Sequence, residues 1–347
     1  MAAELSNQLI DSGAESGAAA ARKEKIPVGV SACLLGERVR YDGGHKRDAH
    51  IVETLGEHFD WHPFCPEFEI GLGVPRKPIR LIAEEGGAIR CVQLDDPRIE
   101  HTRALADCLA ARREQVAALC ACILKKNSPS CGPSGVPVWR GEAKAAESSG
   151  IFASALMKAF PWMPVADERE LASPTARANF IQRVFVLRRW RDLMRENPGI
   201  AALTRFHARH KLMIMSHDPA SYPKLGRLLA EARRDDLATI AERYLRGLMA
   251  ALKQSADRGR QTNTLLHVLG HLKGKITPAQ RRDLRRIIDD FHQGRLPLAA
   301  AVEHLNRHFR QHPDPYIADS WHMNPEPAER ALGMLAGDAA ACEAQAG

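Results

Sequence analysis

The sequence predicts two unlike halves: an α/β domain on a mainly parallel sheet, followed by an all-α helical domain. Two observations predict the division. Residues 25–168 alternate short apolar, often β-branched runs with helical patterns, whereas residues beyond about 170 read as helix almost throughout. Charge divides at the same place. Residues 1–165 carry 20 Lys+Arg against 21 Asp+Glu, and residues 166–347 carry 29 against 21, so the net charges are −1 and +8.

The bulk numbers bound the class. A chain of 347 residues has room for two domains, and 45% hydrophobic with 26% charged content suits a soluble globular protein. No apolar run reaches eighteen residues, so no transmembrane helix is expected. Residues 1–24 lack a basic segment followed by an apolar block and read as a disordered tail, not a signal peptide. A cytoplasmic location follows, where thiols stay reduced. Eight cysteines there point to metal binding or catalysis over disulfides. The basic second half suits a polyanionic partner; simple solubility is the plainer reading.

Taken in order, Ile26–Cys33 is a β-branched run, 51–58 looks helical, and 59–64 reads as a short strand leading to Cys65. Residues 80–94 predict a hairpin around Glu-Glu-Gly-Gly. Alanine and leucine recur at helical spacing over 101–119. Residues 120–126 suit a strand, and 161–168 a last one. The alternation predicts a Rossmann-like layer.

Helical patterns then occupy about 175–196, 199–217, 222–232, 235–255, 260–272, 279–292 and 297–311. The clearest is 279–292: Thr277 can cap it, Pro278 suits its first turn, Leu284, Ile287, Ile288 and Phe291 form one stripe, and Gly294 ends it. The Pro-rich stretch 312–327 predicts an extended tail wrapping a partner or its own domain. The organisation expected is a tail at 1–24, an α/β domain at 25–168, a connecting helix at 169–198, a helical domain at 199–328 and a flexible tail at 329–347.

Three cysteines fall just after expected strands: Cys33 in SACLLG, Cys65 in FCPE and Cys131 in SPSCG. In an open parallel sheet, loops at the carboxyl ends of strands converge on one crevice. Three thiolates there are one ligand short of a closed site, and an open metal position is where a substrate binds. The pattern has no CxxC and is weak by spacing alone. Cys91, Cys108, Cys120, Cys122 and Cys342 read as structural or incidental.

The motifs SACLLGERVRYDGG, FCPEFEIGLGVPR and LKKNSPSCG together resemble the thiouracil desulfidase family over roughly residues 26–165. The resemblance implies an α/β fold and a [4Fe–4S] cluster held by Cys33, Cys65 and Cys131. It also implies a catalytic glutamate at Glu67 and a serine at Ser128. Tyr41, Asp42 and Arg76 come from the same motifs and are candidates to orient the base or a phosphate. Ile70-Gly71-Leu72 stands where the family often has Gly-Gly-Leu. Residues 205–230 and 263–298 resemble a helical domain of the YbgA-like type. That domain is found fused to this desulfidase domain in many bacterial proteins, and the fused arrangement resembles proteins that remove sulfur from 4-thiouridine in tRNA. The stretch YIADSWHMNPEP departs from the usual pattern near Ser320 and His322.

The implied chemistry is hydrolysis of C=S without net electron transfer: substrate sulfur binds the open iron, and Glu67 takes a proton from the attacking water. Ser128 would hydrogen-bond the water, the adduct or Glu67. Without the resemblance, Glu67 is equally a first-turn carboxylate after Pro66, and Ser128 a turn residue before proline.

Candidate RNA contacts are Arg188, Arg189 and Arg191 around Trp190, then Arg205, Arg209 and Lys211, and the cluster Arg281, Arg282, Arg285 and Arg286. Trp190 is equally a core residue, and Asp289 and Asp290 could neutralise Arg285 and Arg286. His267 with His271, or His207 with His210, have metal-ligand spacing but no third ligand.

The leading reading is an iron–sulfur desulfidase acting on 4-thiouridine in tRNA. One alternative is the same chemistry on free thiouracil or a thiouridine nucleotide. Another is a non-catalytic RNA-binding or interaction protein with a structural metal site.

Overall fold

A computed structural model of the protein describes residues 24–232 and 236–334; the expected tail at 1–24, but for Glu24, and Cys342 lie outside them. Strands β1 (Ile26–Ser31) and β2 (Phe59–Phe64) pair in parallel from Ile26↔Phe59 to Ser31↔Phe64. Strand β5 (Ala121–Leu124) joins the other edge of β1, and β8 (Val165–Asp167) joins β5. The sheet runs β2-β1-β5-β8 and every pair is parallel, as expected. All its strand ends therefore point the same way.

Burial on both faces explains the continuous apolar runs. Val28, Val30 and Ile123 face Phe180, Ile181, Val184 and Phe185. Cys122 and Leu124 face Phe152, Leu156 and Leu109. Gly29 of β1 is imposed by this packing: a Cβ there would lie 2.9 Å from Leu119 Cδ1 and 3.0 Å from Cys122 Sγ.

A second sheet flanks the first. β3 (Ile79–Ala83) and β4 (Ile89–Gln93) form the expected hairpin. β6 (Val136–Arg140) pairs parallel to β3 and antiparallel to β7 (Ala143–Ser148). The sequence reading did not anticipate the β6–β7 hairpin. Pro137 argues against a strand, and the exposed Ala-Lys-Ala-Ala of β7 carries no apolar alternation.

Short helices α1 (Ala32–Leu35) and α2 (Pro66–Glu69) follow β1 and β2. The stretch 51–58 is a π turn, His50–Thr54, running into a 3-10 turn, Leu55–Glu57. The expected helix at 101–119 divides into α3 (Thr102–Ala111) and α4 (Arg113–Ala117). α5 (Ile151–Ala159) precedes β8.

From α6 (Glu168–Ala172) onward the chain is helical: α7 (Pro174–Arg195), α8 (Ile200–His217), α9 (Ser221–Ala230), α10 (Leu237–Lys253), α11 (Arg258–Gly270), α12 (Pro278–His292) and α13 (Leu298–Gln311). Thr277 caps α12 in a capping box with Gln280, and Gly294 beyond it is left-handed at φ 80°. α7 serves two cores. Phe180, Ile181, Val184 and Phe185 cover the parallel sheet, while Val186, Leu187 and Trp190 enter the helical core with Phe206, Tyr244 and Leu248.

The Pro-rich stretch wraps its own domain. It contains the turn α14 (Pro315–Ala318), and beyond it Trp321 N–H donates to the Arg209 carbonyl at 3.1 Å. The Trp321 ring lies 3.9 Å from the Arg189 guanidinium and 4.3 Å from that of Arg209. The chain then returns through α15 (Pro327–Glu329) and a π turn at Arg330–Met334, where Leu332 is buried against the core under α7. Residues 329–334 are thus packed structure; the rest of the expected tail lies outside the described residues.

Candidate active site

Cys33 sits in α1, Cys65 is the N-cap of α2, and Cys131 lies in the loop after β5. Each follows a strand of the parallel sheet at its carboxyl end. All three line one cavity of about 400 Å³ together with Glu67, Arg76 and Ser128. Local sequence explains the placement. Pro66 and the Cys65 cap begin a helix directly behind β2, and Pro129 with Gly132 stops any regular element after β5. Gly150 lets that loop pack: a Cβ there would lie 2.6 Å from the Ser130 carbonyl.

The thiols feel one another. Burial pushes Cys33 up to about 11, and Cys65 adds to the shift. Burial also raises Cys65, and raises Cys131 well above its ordinary value, again with a contribution from Cys65. Three clustered thiols that resist ionisation are poor catalytic nucleophiles, but a metal centre supplies the positive charge that deprotonates such groups. Among the described residues, no three His, Cys, Asp or Glu side chains meet closely enough for a single metal ion. The all-sulfur set around a cavity fits a larger thiophilic group such as an iron–sulfur cluster.

Glu67 is held from both sides. Arg76 donates Nε and Nη2 to Oε2 at 3.0 and 2.7 Å, while its Nη1 binds the Val39 and Gly73 carbonyls, each at 2.9 Å. Oε1 accepts from Ser130 Oγ at 2.6 Å and from Ser128 Oγ at 3.3 Å. Ser128 Oγ also accepts from the backbone N–H of Ser130 at 3.3 Å and of Cys131 at 3.1 Å. Ser130 was missed by sequence reasoning. It is buried and donates to the carboxylate at shorter range than Ser128, and its place beside Cys131 in SPSCG was the available signal.

Tyr41 lines the cavity and is 41% exposed at its rim. Asp42 is not among the lining residues; it pairs with Arg40, which holds its carboxyl below the usual range. Arg40, Lys46, Lys125 and Lys126 add positive charge to the lining. Lys125 pairs with Glu168 of α6, whose Oε2 also accepts from the Lys126 N–H at 2.9 Å.

The candidate RNA contacts fare unequally. Arg189 is buried and pairs with Glu326 and Glu329, so it latches the returning chain and offers nothing to a polyanion. Arg188 pairs with Glu326 and Asp192. Trp190 is 5% exposed and stacks on Tyr244, so the expected cation-and-stacking surface around it does not form. Arg205 is exposed, Arg209 is spent on Trp321 and the Asp319 carbonyl, and Lys211 lies 5.2 Å from the rings of both Tyr222 and Tyr316. Arg281, Arg282, Arg285 and Arg286 are exposed on α12; Arg286 pairs with Asp283, and Asp290 pairs with Arg295 instead. The cysteines outside the trio that are described, Cys91, Cys108, Cys120 and Cys122, are buried and free. His207 and His210 are buried, as a core reading of that pair expects.

Comparison with known proteins follows the same division. Residues 28–168 match the family described as 2-thiouracil desulfurase. The Bacillus subtilis (strain 168) "Uncharacterized protein YbbK" is 32% identical over 137 residues, which cover 38% of this chain and 89% of that protein. The chain belongs to the 2-thiouracil desulfurase family. The desulfurase domain is followed by residues 211–327, which match the family "Protein of unknown function (DUF1722)". The Escherichia coli (strain K12) "Uncharacterized protein YbgA" is 27% identical over 137 residues, covering 39% of this chain and 81% of that protein. A solved structure described as the [4Fe-4S]-dependent thiouracil desulfidase TudS is 32% identical; the match covers 43% of this chain and 94% of that one, at a TM-score of 0.34.

Proposed function

We propose that this desulfurase converts 4-thiouridine in tRNA to uridine with release of sulfide, using a [4Fe–4S] cluster held by Cys33, Cys65 and Cys131. The observation that carries the reading is the shared cavity. Three thiols and a carboxylate clamped by Arg76 line the same space at the carboxyl ends of the parallel strands. When bound, the cluster supplies a thiophilic Lewis acid for the substrate sulfur.

The chain's own residues do the rest. Arg76 occupies Glu67 Oε2, so Oε1 is the oxygen that takes a proton from water. Ser128 and Ser130 orient that oxygen. The water oxygen bonds to C4 as its first proton passes to Oε1, and the π pair of the C4=S bond moves onto sulfur. In the collapse the hydroxyl oxygen forms its second bond to C4, its proton passes to sulfur, and the remaining C–S bond breaks with its pair, releasing hydrosulfide. C=O replaces C=S, Glu67 is left with the other proton to return to water, and no electron is gained or lost.

Two cations at the lining favour a phosphate-bearing substrate over free thiouracil: Arg40 and Lys125 are paired with Asp42 and Glu168, whereas Lys46 and Lys126 make no ion pair among the described residues. Free base or a thiouridine nucleotide remains the second reading, because every residue that lines the cavity lies in the α/β domain. The test is anaerobic reconstitution with iron and sulfide, then nucleoside analysis of thiolated tRNA. Loss of 4-thiouridine with matching sulfide release is expected. An intact 4-thiouridine content beside turnover of free thiouracil would move the assignment to the small base. A colourless protein that takes up zinc and carries no acid-labile sulfide would end the desulfidase reading.

A further inference from the structure

At the opposite end of the parallel sheet lies a second pocket of about 310 Å³, where the C-terminal half of α7 crosses the starts of β1 and β2. Lys25, Arg188, Arg191 and Arg195 supply four cations to its lining. Three carboxylates, Glu24, Asp60 and Asp192, also line it, and two of them have partners. Asp192 pairs with Arg195 at 2.9 Å and with Arg188 at 3.4 Å. Asp60 lies 3.2 Å from His62 Nε2. Lys25 Nζ donates to the Gly56 carbonyl at 2.6 Å and makes no ion pair among the described residues.

Arg191 is the anomaly. Among the described residues it makes no hydrogen bond and no ion pair, and its Nε is buried without an acceptor. Burial lowers its pKa and the neighbouring Arg195 charge lowers it further, while the buried Cys120 thiol beside it is itself pushed up to about 11. A half-buried guanidinium with no acceptor is costly unless something outside the chain supplies the acceptor. The guanidinium fork matches two oxygens of one tetrahedral anion, and the neighbouring ammonium favours a double negative charge.

We propose that this pocket is a binding site for a phosphate dianion, either inorganic phosphate or the terminal group of a phosphate monoester, with Arg191 as the principal ligand and Lys25 as the second. The site is separate from the cavity of the three cysteines, and the proposal does not depend on the desulfidase reading.

The test is calorimetric titration of the full-length protein with inorganic phosphate and with methyl phosphate, at constant ionic strength in chloride. Binding of both supports the site, and the tighter of the two identifies the source. Arg191→Gln should weaken binding about tenfold or more. Lys46→Gln/Lys126→Gln, which alters the other cavity, should leave the Arg191-dependent binding in place, as should the exposed control Arg103→Gln. Melting with and without phosphate gives a second readout: phosphate should raise the melting temperature of the unsubstituted protein and leave that of Arg191→Gln unmoved. Absence of phosphate binding, binding kept in Arg191→Gln, or binding lost only in the Lys46/Lys126 variant would overturn the proposal. So would dimethyl phosphate binding as tightly as phosphate, or a phosphate-induced rise in the melting temperature of Arg191→Gln equal to that of the unsubstituted protein.

Discussion

The two oxygens of Glu67 keep different company, and the difference assigns their work. Oε2 is fixed by a guanidinium; Oε1 meets only serine hydroxyls, which can turn. Glu67→Gln should retain the cluster absorbance but lower turnover by about 10²-fold or more, measured by sulfide release. A near-normal rate would mean that another group activates the water. Cys33→Ala, Cys65→Ala and Cys131→Ala should each lose the absorbance after anaerobic reconstitution, whereas Cys120→Ala should keep it. Retention in all three trio variants would remove them as ligands. Single residues also set a pH limit. Burial lowers His207 to about 4, His210 to about 3 and His322 to about 4, from an ordinary 6.5. The unfolded chain therefore binds more protons below pH 6.5, and the folded state loses stability from there down to about pH 3. Urea unfolding should show a midpoint that falls from pH 7.5 to pH 5, and His210→Gln should flatten the fall. A midpoint independent of pH over that range would refute the burial argument.

At the scale of elements, caps and turns decide where helices begin and which strand ends carry the site. The Thr277–Gln280 capping box satisfies two otherwise unpaired donors at the start of α12. Thr277→Ala should cost about 1 kcal/mol in thermal or urea unfolding, with activity unchanged. A neutral effect would mean that packing of Leu284, Ile288 and Phe291 alone fixes that helix. The Pro-rich strap is held by other means. Arg189 lies between Trp321 and the carboxylates of Glu326 and Glu329, so residues that read as an RNA surface are tertiary fasteners.

At the scale of the whole molecule, α7 couples the halves because its length buries one end in each core. A cut at residue 170 would expose Val28, Val30 and Ile123 on one face of the sheet. Residues 24–169 should aggregate or melt without cooperativity, while residues 24–197 should retain more structure by circular dichroism. Equal stability of the two fragments would show that α7 is not part of the desulfurase core. The longer fragment still lacks Ala328 and Leu332, so it should melt below the full chain.

Sequence alone determined what depends on local pattern. The period of apolar residues gave the parallel strands, nearly every helix and the 80–94 hairpin. Cysteines placed after strands pointed to one crevice because parallel strands share a direction. Local pattern could not decide which arginines reach solvent, since Arg189 and Arg281 look alike until distant carboxylates arrive. Nor could it reveal Ser130 as the nearer donor to Glu67, or the β6–β7 hairpin, whose pairing rests on a neighbouring strand. Those outcomes belong to contacts between residues far apart in the chain, which only the folded structure brings together.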